Sequence, residues 1–182
     1  MNDLTWLLEE YVKCRSNFEY FVTHYVKDPF LPQMPPVTKL YSKQKDIVNS
    51  FLNNHRVVIL GSRQTGKTFC VELLIAWLLL FFPNYQVAVL SRKAEHTYKL
   101  VNEIKLVLEN LNPPFTVKFD DKEHVEKKLE SCIRLRNKSS VQAITVPKQN
   151  PEEAGRGLRC GMLFIDEAAH IPDLEKILGG LL

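Results

Sequence analysis

Residues 57–69 read VVILGSRQTGKTF. An apolar, β-branched run reaches Gly61, four residues follow, and Gly66-Lys67-Thr68 complete G-x-x-x-x-G-K-T, the pattern of a phosphate-binding loop. Each residue type has a physical reason. Gly61 and Gly66 let the backbone turn tightly and bring its N–H groups against phosphate oxygens. Lys67 supplies a point charge for the β- and γ-phosphates, and Thr68 offers a hydroxyl to Mg²⁺. A helix starting here points its positive end at the anion. Ser62, Arg63, Gln64 and Thr65 complete the candidate nucleotide-binding set. The run 57–60 is expected to be a buried strand leading into the loop.

Far along the chain, MLFIDEAAHI (162–171) places an apolar run before Asp166-Glu167. A strand-end acidic pair is the expected second motif of a P-loop NTPase. Asp166 would hold Mg²⁺ through water, and Glu167 would polarise the attacking water as general base. Read without the loop, the same pair could simply cap the following helix. A glutamate directly after the aspartate indicates ATP hydrolysis of the ASCE type. No N-K-x-D motif is present to read guanine, which weighs against a small GTPase. Gln44, in LYSKQKDIV, could read the adenine edge with its amide donor and acceptor. It could equally be a solvated helix residue.

The rest of the chain fits one α/β domain. It has 182 residues, 45% hydrophobic and 25% charged, with a net charge of +3. A core can form, and any nucleic acid must bind a local patch rather than a uniformly basic surface. Cys14, Cys70, Cys132 and Cys160 show no metal-knuckle or redox-pair spacing and read as reduced thiols. The longest apolar run, Leu73–Phe82, is too short for a bilayer and reads as a buried helix.

Along the chain, residues 1–27 read as an amphipathic helix with Leu4, Leu7, Leu8, Tyr11 and Val12 on its apolar side. DPFLPQMPPV (28–37) holds four prolines and reads as an extended connector. Ser42 is a candidate N-cap for the helix bearing Ile47, Val48, Phe51 and Leu52. A helix from about 66 to 82, a strand at 86–91 and a helix from 95 to 111 follow. SCIRLRNKSSVQAITV (131–146) reads as two strands around a turn at 137–140. Strands alternating with helices predict a mostly parallel sheet flanked by helices. The expected division is a helical segment and connector over 1–40, then a P-loop core over 41–182.

Three stretches together resemble the large terminase subunit of tailed bacteriophages, the motor that packages DNA into proheads. They are SRQTGKT (62–68), LYSKQKDIVNSF (40–51) and GRGLRCGMLFIDEAAHIP (155–172). The resemblance spans roughly residues 20–175 and implies an ATPase acting on double-stranded DNA, with ATP and Mg²⁺. A portal protein and a small terminase subunit are the implied partners, with a ring oligomer in the assembled motor and a bacterial host cytoplasm as the setting. It further implies that Arg63 senses the γ-phosphate or stabilises transferring charge, as its two-pronged donor allows. Arg156 matches the position of an arginine finger reaching a neighbouring subunit's ATP, with Arg159 as a weaker second choice. In that family the ATPase core continues past the acidic motif into a strand with a Ser/Thr coupling motif, then a nuclease domain. The chain ends at KILGGLL, so an incomplete core without nuclease activity is expected. Two other readings share the motifs: a superfamily-2 helicase-like translocase, and a nucleotide-binding fragment of prophage origin without turnover.

Overall fold

The computed structural model describes residues 3–27, 40–62, 65–146, 150, 153–154 and 159–181. They fall into two compact units, one of residues 1–81 with 106–117, the other of 82–105 with 118–182.

The first unit is helical. Helix α1 spans Asp3–Ser16 and α2 spans Phe18–Tyr25. One continuous helix was expected here, but Asn17 divides it. Its backbone is extended and its side-chain oxygen accepts the Tyr20 amide at 2.9 Å, capping α2. The buried side of α1 also differs from the expected one. Leu4, Leu8 and Val12 are exposed, whereas Glu10 and Cys14 are buried. A polar group decides this rotation. The Glu10 carboxylate accepts the hydroxyls of Tyr20 (2.6 Å) and Tyr25 (2.8 Å) and an ammonium proton from Lys13 (3.4 Å). Helix α3 covers Ser42–Asn53 and α4 covers Lys67–Phe81. Helix α4 is buried nearly all round from Cys70 to Phe81, as the apolar run predicts. The Trp77 indole N–H donates to the Cys14 carbonyl at 2.7 Å, and Tyr11 donates to the Phe81 carbonyl at 3.2 Å. Edge-on ring pairs Phe18–Trp77, Phe21–Phe81 and Phe81–Phe115 complete the core.

Burial pushes the Glu10 carboxyl up, but the Tyr20, Tyr25 and Lys13 hydrogen bonds and the Lys13 charge outweigh it, so Glu10 ionises below its ordinary 4.5. A depressed folded value means the stabilisation is complete above the unfolded value and is lost as pH falls through the folded one. Glu10→Ala is expected to cost roughly 2–3 kcal/mol at neutral pH, because two tyrosine hydroxyls lose their acceptor. The thermal melting difference between wild type and variant should shrink as the pH is lowered below about 4.5. A difference independent of pH would mean that the carboxylate charge plays no part.

The second unit is built on a five-stranded sheet in the order β2-β3-β4-β1-β5. The strands are β1 (Gln86–Leu90), β2 (Val125–Leu129), β3 (Cys132–Leu135), β4 (Ser140–Ala143) and β5 (Met162–Ile165). Helix α5 (Ala94–Glu109) follows β1, and α6 (Leu174–Leu181) follows β5. Strand β1 runs parallel to both β4 and β5, while β2–β3 and β3–β4 are antiparallel. The sheet is therefore mixed, not mostly parallel as expected. The turns after β2 and β3 are too short for a crossover, and short turns force antiparallel neighbours. Strand β2 was not anticipated from the sequence. Four of its five residues are exposed, so VEKKL carries no apolar alternation.

The strand expected at 57–60 is also absent: Val57–Leu60 joins no ladder. Val58 and Leu60 are 87% and 92% exposed, while Val57 and Ile59 are half-buried. The backbone alternates as a strand would but has no partner strand, and an apolar run forms a strand only when its amides and carbonyls are paired. On one side of the sheet, Ala88, Leu90, Leu163 and Ile165 pack with Ile144, Ala154, Ile171 and Ile177 in one hydrophobic core cluster.

Candidate nucleotide-binding site

The loop Gly61–Thr68 joins the extended run 57–60 to α4. Gly66 sits at φ +71°, where a side chain is strained. Its carbonyl accepts the Cys70 amide at 3.0 Å, the first bond of α4. Lys67 opens the helix and folds back across the loop. Its ammonium donates to the carbonyls of Ser62 (2.5 Å) and Gly61 (3.1 Å) and reaches the Thr65 hydroxyl at 3.4 Å. Thr65 in turn donates to the Ser62 carbonyl at 3.1 Å. Among the described residues the cation is thus held inside the curve of the loop by neutral oxygens, weaker acceptors than anionic ones. Thr68 is half-buried in the first turn of α4. Arg63 and Gln64 lie outside the described residues.

Helix α3 meets the loop through Gln44. The N-cap of α3 is Tyr41, one residue before the expected Ser42. Gln44, at the third helical position, accepts the Tyr41 amide on Oε1 at 2.9 Å, the backward half of a capping box. Gln44 is buried, and a Cβ added to Gly66 would lie 2.9 Å from its Nε2. The Cys70 thiol approaches the Gln44 carbonyl at 3.5 Å, tying α4 to α3. Burial pushes this thiol up to about 12, so it is an unreactive packing group. Tyr41, Ser42, Lys43, Gln44, Thr65 and Gly66 line an open cleft of about 570 Å³. Tyr41, 71% exposed, has no place among the residues singled out from the sequence. Its signal was an aromatic residue at a helix start with glutamine three positions on.

Gly66 is the tightest point of this site. Gly66→Ala would add the strain of a left-handed backbone, about 1 kcal/mol, to a clash with Gln44. Nucleotide affinity should fall at least tenfold with the melting temperature lowered by only a few degrees. Unchanged affinity in a titration with an ATP analogue would show that the Gly66–Gln44 contact does not shape the cleft.

In the second unit, Asp166 follows directly on β5, and its amide donates to the Leu90 carbonyl at 2.9 Å, extending the β1–β5 pairing by one bond. Glu167 then turns sharply, with φ 52° and ψ 39°, a left-handed conformation rare for a residue with a side chain. Its carbonyl accepts the His170 amide at 2.8 Å, closing a short 3₁₀ turn over Ala168–His170. Glu167 is exposed and Asp166 half-buried. Strain at the tip of β5, a half-buried edge strand, marks a position set by something other than local stability. Upstream, Tyr85 donates to the Gly161 carbonyl at 3.1 Å, and its ring leaves no room for a Cβ at Gly161. This contact fixes the entry into β5. Arg156 lies outside the described residues, and Arg159 is exposed.

The family model described as "Terminase large subunit, T4likevirus-type, N-terminal" matches residues 58–178, more than half of the chain. The chain belongs to this family. Membership in the terminase large-subunit family supports a role in phage DNA packaging. The match contains Gly61, Lys67, Thr68, Asp166 and Glu167, and it begins after Gln44 and the rest of α3. No described helix of this terminase-family chain is long and apolar enough to cross a membrane.

Proposed function

We propose that this chain is a P-loop ATPase domain of a terminase large subunit, turning ATP hydrolysis into movement of double-stranded DNA into a prohead. The observation that carries it is the convergence of Gln44, Thr65 and Gly66 on one cleft, with Lys67 turned into the adjoining loop. A base in the cleft would place its phosphates toward the loop. There the ammonium of Lys67 exchanges carbonyl oxygens for anionic ones, a roughly twofold stronger hydrogen bond each. Gln44 accepts the Tyr41 amide on Oε1, so Nε2 is the atom it would turn as donor toward a base, and the exposed Tyr41 ring offers a stacking surface.

Thr68 would offer its hydroxyl and Asp166 its carboxylate to Mg²⁺, which when bound would supply positive charge against the phosphates. Glu167 takes the proton of the attacking water. Arg63 stabilises the transferring charge, and Arg156 serves a neighbouring subunit. The working form is a ring on a portal protein, supplied with DNA by a small subunit in the cytoplasm of an infected bacterium.

The test uses assembled motors of mixed composition. Arg156→Ala subunits and Glu167→Gln subunits are each expected to give inactive homogeneous rings. Mixed rings should regain ATP turnover, because a wild-type Glu167 then sits beside a donor with an intact Arg156. An arginine finger is worth about 10³–10⁵ in rate, so recovery will stand well above background. No recovery would remove Arg156 from action across subunits, hydrolysis by homogeneous Glu167→Gln rings at the wild-type rate would remove Glu167 from the base role, and no ATP turnover in wild-type rings would contradict the ATPase assignment itself.

A further inference from the structure

One face of the β2–β3–β4 part of the sheet is open at Lys127, Leu129, Arg134 and Gln142, with Cys132 half-buried. Register sets Lys127 opposite Arg134, and Leu129 opposite Cys132 and then Gln142. Alternation places these residues together on one side, with Ile133, Leu135, Val141 and Ala143 buried on the other. Along β1 and β5 the first side is covered by the Ile144–Ile177 cluster. The cover ends within β4, where Ser140 opposite Arg134 is buried and Gln142 is exposed. Arg136 lies two residues beyond Arg134, just past the end of β3. Its amide donates to the His124 carbonyl at 3.0 Å, a bond next to the last pair of the β2–β3 ladder.

Lys127, Arg134 and Arg136 are all exposed. Like charges directly opposite each other on neighbouring strands are destabilising, yet Lys127 faces Arg134. Other lysines of this meander are paired: Lys128 with Asp120 at 3.3 Å and Lys138 with Glu126 at 3.1 Å. Among the described residues, the three cations of the open face make no ion pair. A lysine on β2 could serve to blunt an edge strand, but Arg134 belongs to β3, an interior strand, and Arg136 lies in the turn that follows it. No aromatic residue shares this face, so it lacks a platform for stacking unpaired bases. A flat row of arginine and lysine heads fits a ridge of phosphates.

We infer that the open face of β2–β3–β4 holds the phosphate backbone of duplex DNA, through Lys127, Arg134 and Arg136 and without reading sequence. The inference rests on the reading of the chain as a DNA motor and assigns that motor a contact surface. Each phosphate contact contributes about −0.9 to the slope of log K against log salt.

The test is the anisotropy of short labelled duplexes of two unrelated sequences, titrated with the full chain between about 50 and 200 mM salt. The triple variant Lys127→Gln/Arg134→Gln/Arg136→Gln should lose about 2.7 from the slope, equally for both sequences. Lys99→Gln, on exposed and already paired Lys99, should leave it unchanged. Each single variant should remove about 0.9, which keeps the test readable should the triple variant fold poorly. A wild-type slope and affinity in the variants would overturn the inference. So would failure of the intact chain to bind duplex at the lowest salt, or poly-glutamate displacing DNA from wild type and triple variant alike. Nucleotide titration of the same proteins is a separate readout. Intact ATP binding in the triple variant would leave the ATPase reading standing whatever the DNA result.

Discussion

Lys67→Ala is expected to raise the Kd for Mg·ATP by roughly 10²–10³-fold, equivalent to about 3–4 kcal/mol, the worth of two charge-assisted hydrogen bonds to phosphate. The same change should barely alter the stability of the free protein. Among the described residues the ammonium bonds to exposed carbonyls and a hydroxyl, groups that water can serve equally well. Large loss of affinity with an unchanged melting temperature is therefore the expected signature, read by calorimetric titration beside thermal melting. Equal affinities for wild type and variant would exclude Lys67 from phosphate binding. Lys67→Arg should fall between them, since a planar fork cannot take the place of a compact ammonium inside so tight a loop.

Glu167→Gln should keep ATP affinity and lose about 10²–10⁴ in turnover, the usual worth of a general base. The amide matches the carboxylate in shape but cannot accept the proton. The left-handed backbone at Glu167 supplies a second readout. Glu167→Gly should be as inactive as Glu167→Gln while melting at least as high as wild type, because glycine relieves strain of about 1 kcal/mol. Inactivity with increased stability would show that the side chain is kept at a cost to the fold. A Glu167→Gly protein with wild-type turnover would mean that the position serves only the turn.

Much of the fold could be read from local pattern. The apolar runs at 86–90 and 162–165, the hairpin at 132–143, the α5 stripe and the buried α4 all stand where periodicity placed them. The failures share a cause. Strand formation depends on partners that lie elsewhere in the chain. VVIL at 57–60 carries the composition of a strand without a ladder, while VEKKL at 125–129 forms a ladder without the composition, borrowing its order from β3. In α1 the apolar stripe Leu4–Leu8–Val12 lost to a buried carboxylate, because Glu10 gains two tyrosine donors, a pairing invisible before the helices are folded together. At the candidate site, the tight turn at Gly66 leading into α4 was legible from the local spacing of Gly61, Gly66 and Lys67. The capping bond from the Tyr41 amide to Gln44 and the cleft they share with Gly66 depend on α3 lying beside α4.

Hydrogen exchange of the full chain, with and without a non-hydrolysable ATP analogue and Mg²⁺, tests most directly whether one nucleotide occupies this cleft and loop. Slowed exchange should appear in two separated stretches, 41–45 at the start of α3 and 61–70 through the loop into α4, and should vanish in Lys67→Ala. Protection confined to other segments, or none at saturating nucleotide, would contradict the assignment of the Gly61–Thr68 loop and the Gln44 cleft as the nucleotide site.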